Sequence, residues 1–370
     1  MDNKQIKVLM IVPNLRASSG VASFVMNYYR SIDHDRFVVD FATLSYRESP
    51  YFEEIEKNGS KVFVLGSLLR HPFKHFKNAK RIIKEGNYDI VHDNTLHKSI
   101  PIMGYAKRKV PVRILHSHSI KIGETGLKVK INKLLMPLLL SKANYYTACS
   151  SNAGVAMFGS RDFTVIPNII DTDNYRFDSK IRDEVRLREN VTHNYVVGSV
   201  GRVAEAKNPV FAVEVMEEVL KRRDDIEYWW IGSGPLDGQM KQIVEEKNIS
   251  DRIRLLGSRS DLNELYQAMD LFFLPSQGEG FGLACIEAES SGLPCVISTN
   301  FPGEVNVTGS VKFVSLENEI SKWADAVIES LDKNADRLEA NRICRESAYS
   351  KAGSGDALSK YYEQLVVSEK

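Results

Sequence analysis

The sequence predicts an α/β protein of two doubly wound parallel-sheet domains in tandem. Three observations carry that expectation. Short apolar runs alternate with amphipathic stretches through the first half of the chain, and the alternation restarts at Tyr195. The chain's 370 residues exceed what one hydrophobic core comfortably organises. Strand–helix alternation at this spacing is the pattern of a parallel sheet wrapped by helices.

Strands are expected at 6–12, 37–43, 61–65, 88–92, 112–116 and 144–149, with helices at 21–31, 72–85 and 128–141 between them. The second half gives strands at 195–201, 226–232, 253–256, 271–275 and 294–298, and helices at 209–221, 236–247, 261–268 and 283–291. Pro167, Asn168 and a charged run break the periodicity across 165–188, which puts the joint there. The division is then 1–170 and 171–351, with the amphipathic tail 352–370 returning to the first domain. Open parallel sheets bind ligands at the carboxyl ends of their strands. Two such domains facing across a cleft would therefore carry their chemistry in the loops that follow strands.

A composition of 43% hydrophobic and 26% charged residues is that of an ordinary soluble globular chain. No apolar run approaches the roughly 18 residues that span a bilayer. The apolar run 8–12 is too short for a signal-peptide core and reads as a first buried strand. Cys149, Cys285, Cys295 and Cys344 form no Cys-x-x-Cys pair, which speaks against zinc and disulfides and for a cytoplasmic location. Each is expected to act as a small buried apolar side chain.

The net charge of +1 conceals an asymmetry. Residues 1–170 hold 25 Lys and Arg against 13 Asp and Glu, and between 61 and 142 the ratio is 17 to 4. A basic domain implies an anionic partner. The stretch 128–140 joins Lys128, Lys130 and Lys133 to a dense apolar run. The stretch 70–84 joins Lys74, Lys77, Lys80, Arg81 and Lys84 to Phe73 and Phe76. Either these faces lie on an anionic membrane surface, or the apolar residues pack on the sheet and the lysines are solvated.

The strongest chemical signal is 276–288, Ser-Gln-Gly-Glu-Gly-Phe-Gly-Leu-Ala-Cys-Ile-Glu-Ala, with Gly292-Leu293-Pro294 beyond it. It starts just after a strand. Its glycines let the backbone turn tightly and approach a ligand. A helix opens near Phe281, Gly282 and Leu283, whose free N–H groups can hold phosphate. Glu279 stands on the loop, and Glu287 lies roughly 8 Å along the helix axis. A carboxylate accepts two hydroxyl hydrogen bonds, which suits the diol of a ribose or hexose.

Two further strand ends carry candidates. Gly198-Ser199-Val200-Gly201-Arg202 leads to Lys207-Asn208, so Arg202 and Lys207 can point at the ligand. A diphosphate unbridged by metal needs such cations, because its charge grows as a sugar leaves. No Asp-x-Asp stands at a strand end; Asp171-x-Asp173 lies in the joint. No metal and no cofactor are therefore expected. In Leu115-His116-Ser117-His118-Ser119, alternation puts both histidines on one side if the strand extends that far. His118 is later and nearer the cleft, and His116 competes with it.

Glu279-x7-Glu287 in this setting resembles the signature of the large retaining glycosyltransferase family 4, which has the GT-B fold of two Rossmann-like domains. The resemblance runs through most of the chain. Gly198–Asn208 is similar to the loop that supplies an Arg and a Lys to the donor diphosphate, here Arg202 and Lys207. Ile231-Gly232-Ser233-Gly234-Pro235 resembles the glycine turn near the nucleotide base. Val165-Ile166-Pro167-Asn168…Asp171 resembles the interdomain segment. His118 falls where the family places a His beside the donor sugar. The wording around it, with Ala148-Cys149-Ser150 and Pro302-Gly303-Glu304-Val305, is most similar to bacterial enzymes of exopolysaccharide and capsule synthesis. One departure concerns the loop before the first helix, where the family often carries Gly-Gly against the diphosphate. This chain has Ser18-Ser19-Gly20-Val21, so Gly20 keeps the close approach.

The resemblance implies metal-independent transfer of a sugar, with retention, from a nucleotide diphosphate to a saccharide or lipid-linked saccharide. Uridine diphosphate sugars are the family's common donors. It implies an acceptor-binding domain at 1–170 and a donor-binding domain at 171–351. His118 and Glu279 would then be catalytic, and Gly20, Arg202, Lys207, Gly232, Ser233, Phe281, Gly282, Leu283 and Glu287 would bind the donor. A nucleotide-sugar epimerase on a similar scaffold is the alternative. A nucleic-acid binder lacks a recognised motif or aromatic platform in the basic half. A dehydrogenase lacks Gly-x-Gly-x-x-Gly after the first strand. The expected place is the cytoplasm, at the inner face of the membrane if the basic face docks there.

Overall fold

The computed structural model describes residues 5–16, 19–44, 49–95, 97–120, 126–191, 193, 195–333 and 335–369. Ser18 and the side chain of Lys128, both named above, lie outside the described residues. The chain forms two compact units. One is Met1–Ile169 together with Ser354–Lys370, and the other is Ile170–Gly353.

The first unit contains β1 (Ile6–Val12), β2 (Phe37–Thr43), β3 (Val62–Val64), β4 (Ile90–Asp93), β5 (Val112–Ser117), β6 (Tyr145–Ala148) and β7 (Thr164–Val165). Its helices are α1 (Gly20–Tyr29), α2 (Tyr51–Lys57), α3 (Pro72–Gly86), α4 (Ile100–Ala106), α5 (Gly126–Leu140) and α6 (Ser151–Phe158). The seven strands form one sheet in the order β3-β2-β1-β4-β5-β6-β7, and every neighbouring pair is parallel. From Val8 to Val12 β1 is a continuous, buried apolar run, because a parallel strand is covered on both faces. α1 starts where it does because the Ser19 hydroxyl caps it, accepting from the Ala22 N–H. α3 opens on Pro72 and stops at left-handed Asn87.

The second unit contains β8 (Tyr195–Val200), β9 (Ile226–Ile231), β10 (Ile253–Gly257), β11 (Leu271–Leu274), β12 (Cys295–Ser298) and β13 (Val311–Val314). Its helices are α7 (Ser179–Arg188), α8 (Pro209–Arg222), α9 (Asp237–Glu246), α10 (Leu262–Ala268), α11 (Leu283–Ser290), α12 (Ile320–Leu331) and α13 (Arg337–Glu346). The sheet order is β10-β9-β8-β11-β12-β13, again parallel throughout. Its core is aromatic: Trp229, Trp230 and Trp323 are fully buried, and Trp323 meets Phe211 and Phe273 edge-on.

After α14 (Lys351–Ser354), the chain ends in α15 (Ala357–Ser368). Leu358, Tyr362 and Leu365 lie on one face of α15 by helical spacing. They join Val8, Met10, Phe24, Tyr28 and Phe37 in the first unit's core.

The units divide between Ile169 and Ile170, inside the expected joint 165–188, whose later part, 179–188, is the helix α7. Arg182 and Arg186 clamp it to Asp270 at 2.6 and 3.2 Å, so its attachment is polar and leaves little apolar periodicity. The expected strand list lacks β7 and β13, which are short strands at the sheet edges.

Candidate active site

In each unit the strand order reverses beside the first strand, between β1 and β4 and between β8 and β11. A crevice at the carboxyl ends of such a pair is the usual ligand position of an open parallel sheet. The loops leaving β8 and β11 hold Arg202, Lys207 and Glu279.

Lys207 sits at the end of a single 3-10 turn, Glu205–Lys207. Its stem runs over Gly201, where a Cβ would lie 3.3 Å from Lys207 Cε. Its ammonium donates to Glu279 Oε1 at 2.5 Å, and the Ser276 hydroxyl donates to the same oxygen at 2.6 Å. The loops are also tied through backbone, the Gln277 N–H donating to Ala206 O at 2.9 Å. Arg202 is exposed on the β8 loop.

Gly232 directly follows β9, with φ +138°. A Cβ there would stand 2.0 Å from Gly201 O, and one on Gly234 2.1 Å from Val203 O. The glycine turn is thus pressed backbone to backbone against the loop that bears Arg202, and no side chain fits between them. Ser233 is exposed on this turn.

Beyond Glu279 the chain enters α11 through Gly282, at φ +105°. A Cβ on Gly282 would meet the Phe301 ring at 2.6 Å. The helix begins at Leu283, as the range 283–291 implied, and left-handed Gly282 is its cap. Phe281 is buried against Tyr349, with ring centroids 4.8 Å apart. Its side chain therefore packs, and only its backbone can serve a ligand. Glu287 is half-buried on α11, and the Tyr266 hydroxyl donates to its Oε2 at 3.1 Å. Burial pushes the Glu287 carboxyl up to about 7, against the opposing pull of the Tyr266 and Tyr175 hydroxyls.

In the first unit, Gly20 opens α1 past the end of β1. A Cβ on it would meet nothing within 4 Å, so packing does not demand glycine there. β5 extends to Ser117, and His116 and His118 do share a side. Their rings stack at 4.2 Å, 6° from parallel. His116 is buried and hydrogen-bonded to His92, which in turn reaches the Tyr362 hydroxyl of α15. His118 is half-buried, and its Nε2 lies 2.9 Å from Asn94 Oδ1. Burial lowers His92 and His118 to about 3 and drives His116 well below its ordinary value, so all three rings are neutral at pH 7.

The basic faces divide. α3 buries His75, Ala79, Ile82 and Ile83 and leaves Phe73 90% exposed among Lys74, Lys77 and Lys80. α5 buries Met136, Leu139 and Leu140 and leaves Leu134 79% exposed beside Lys130 and Lys133. All four cysteines are buried and free.

Residues 181–351 match the family model of glycosyl transferases group 1, and residues 18–174 match that of Glycosyltransferase Family 4. The chain is 30% identical over 342 residues to EpsF of Bacillus subtilis (strain 168), a candidate glycosyltransferase, with 88% of each chain covered. The chain belongs to glycosyltransferase family 4. This glycosyltransferase, of enzyme class EC 2.4, is also 24% identical over 344 residues to the UDP-Gal:alpha-D-GlcNAc-diphosphoundecaprenol alpha-1,3-galactosyltransferase of Escherichia coli, with 85% of each chain covered. Among solved structures it resembles HepE of Anabaena in complex with UDP and glucose. The TM-score is 0.79 at 17% identity, over 97% of this chain and 100% of that one. WaaG, a glycosyltransferase involved in lipopolysaccharide biosynthesis, gives a TM-score of 0.74 at 12% identity, over 97% and 99%. These likenesses show that the glycosyltransferase has the GT-B fold.

Three residues that steady the candidates escaped sequence reading. Ser276 and Tyr266 hold the two glutamates, and Asn94 holds His118. Ser276 alone had a local signal, its place at the head of the glycine segment.

Proposed function

We propose that this glycosyltransferase moves a sugar from a UDP-sugar to a saccharide or lipid-linked saccharide acceptor, with retention of configuration and without a metal. The observation that carries the reading is the Lys207–Glu279 pair beside Arg202, on the two loops at one strand reversal. Such a pair offers cations for a diphosphate and a carboxylate for the sugar next to it. Arg202 and Lys207 would offset the charge that grows on the diphosphate as its bond to the anomeric carbon breaks. The acceptor hydroxyl attacks the face the diphosphate leaves, with no protein nucleophile. Glu279 and His118 contact the donor sugar. The Gly232–Ser233 backbone and the start of α11 at Phe281, Gly282 and Leu283 are assigned to the nucleotide, as is Gly20, and ionised Glu287 to accepting from a diol.

The uridine base is supported by HepE, seen with UDP and with UDP-glucose, and by the UDP-Gal named for the Escherichia coli relative. That relative's diphosphoundecaprenol acceptor supports a lipid-linked acceptor here. Among the described residues no helix is long and apolar enough to cross a membrane. The exposed Phe73 and Leu134 among lysines would instead let the first unit rest on an anionic membrane surface.

The test is calorimetric titration with a panel of nucleoside diphosphates in EDTA, beside Arg202→Ala. Binding of UDP that the variant loses supports the donor site, its base and its independence of metal. Failure of every nucleotide to bind would reject it.

A further inference from the structure

Asn94 is the first residue past β4, at the strand reversal of the first unit, and it is buried. Its neighbours orient its amide. Nδ2 lies 3.4 Å from His92 O and 3.7 Å from Met10 Sδ, both acceptors, which turns Oδ1 to His118 Nε2 at 2.9 Å. An amide oxygen only accepts, so the proton of the neutral imidazole must sit on Nε2. Nδ1 then keeps its lone pair, and it has no hydrogen bond among the described residues. The ring is clamped between His116 at 4.2 Å and the edge of Phe24 at 4.8 Å.

We propose that Asn94 is a positioning residue that fixes His118 as its Nε2–H tautomer, so that His118 meets the donor sugar through Nδ1 as a hydrogen-bond acceptor. This rests on the reading of His118 as a sugar contact. The ligand group it selects is a sugar hydroxyl that donates its proton. A carbonyl or ether oxygen at that position finds no partner.

The surroundings favour a neutral ring. The titratable groups packed toward it are His92 on β4 and His116 on β5, both neutral, and α1 carries no charged residue. Asp93, next along β4, turns instead to Thr95 and Ser99. Burial holds His118 near 3, so the acceptor form is present throughout the neutral range.

The experiment follows the ring nitrogens of ¹⁵N-histidine-labelled full-length protein by NMR, with His118→Gln to assign the signal. Turnover is measured in parallel for Asn94→Ala, Asn94→Asp and His118→Ala. The wild-type spectrum should show Nε2 protonated and Nδ1 bare. Asn94→Ala should lose that preference and lower kcat by about tenfold or more, with the KM for the nucleotide-sugar little changed. Asn94→Asp keeps the side chain's size but sets a carboxylate against Nε2–H, which favours the imidazolium. It should raise the His118 pKa and move the acidic limb of the activity profile to higher pH. A wild-type ring protonated on Nδ1, or an Asn94→Ala variant with unchanged His118 signals and kcat, overturns the proposal. Full turnover in His118→Ala would instead reject the sugar contact, while the NMR still decides the tautomer.

Discussion

Lys207 Nζ and Glu279 Oε1 stand 2.5 Å apart, bridging 72 positions of sequence. Both side chains are largely buried, at 22% and 11% exposure, so water screens the pair weakly. On the proposed reading, an anionic diphosphate arriving at Lys207 would compete with Glu279 for the same ammonium.

That competition separates the two residues experimentally. Lys207→Ala should weaken UDP binding by roughly 10- to 100-fold, the worth of about 1.5–3 kcal/mol for a hydrogen bond to a charged group. Glu279→Gln should leave UDP affinity unchanged or higher, because Lys207 is released, while turnover falls. Calorimetry and initial rates on the same preparations decide it. Weaker UDP binding in Glu279→Gln would show that the carboxylate serves the nucleotide.

Glu287 gives a pH dependence. Burial holds its carboxyl up near 7, so between the ordinary carboxylate range and about 7 the folded protein keeps a proton the unfolded chain has released. Stability contributed by this group therefore falls as pH rises across that window and levels off above it. On the proposed reading donor affinity should run the other way, since ionised Glu287 would accept both hydroxyls of a diol. Affinity for a nucleotide-sugar, measured from pH 6 to 8, should rise in the wild type and stay flat in Glu287→Gln. The stability slope should persist in part, because buried Glu289 is also raised to about 7. An unchanged affinity slope in the variant would remove Glu287 from the donor site.

The central strands were legible because parallel strands are apolar on both faces, and 6–12 and 37–43 coincide with β1 and β2. The edges were not. β7 is two exposed residues, Thr164 and Val165, which no periodicity can mark. α7 escaped because Arg182 and Arg186 attach it through Asp270. The site divides along the same line. A glycine requirement is local, so the loop at Gly282 and the turn at Gly232 stand out in sequence. Tyr266 and Asn94 act on partners 21 and 24 positions away, and only the fold brings them together.

Gly232 tests the turn that backs the Arg202 loop. Alanine there meets the Gly201 carbonyl at 2.0 Å and inherits φ +138°. Gly232→Ala should cost at least about 2 kcal/mol of stability. All three tryptophans lie in this unit, so their fluorescence follows its unfolding. UDP affinity should fall as well. An unshifted transition would mean that the turn relaxes freely.

The membrane reading rests on Phe73 and Leu134, whose exposed side chains sit among lysines of α3 and α5. Apolar insertion and charge attraction are separable. At low salt the protein should float with vesicles containing phosphatidylserine and not with purely zwitterionic ones. Each lysine near an anionic surface contributes about 1 kcal/mol, and the attraction fades within a Debye length. Raising salt to 0.5 M should therefore release the protein. Phe73→Ser with Leu134→Ser should reduce flotation at low salt while leaving UDP binding, measured without lipid, intact. Loss of both would indicate a folding defect instead. If the wild type stays unbound at low salt, the exposed lysines are simply solvated, and a lipid-linked acceptor would have to be reached without this face.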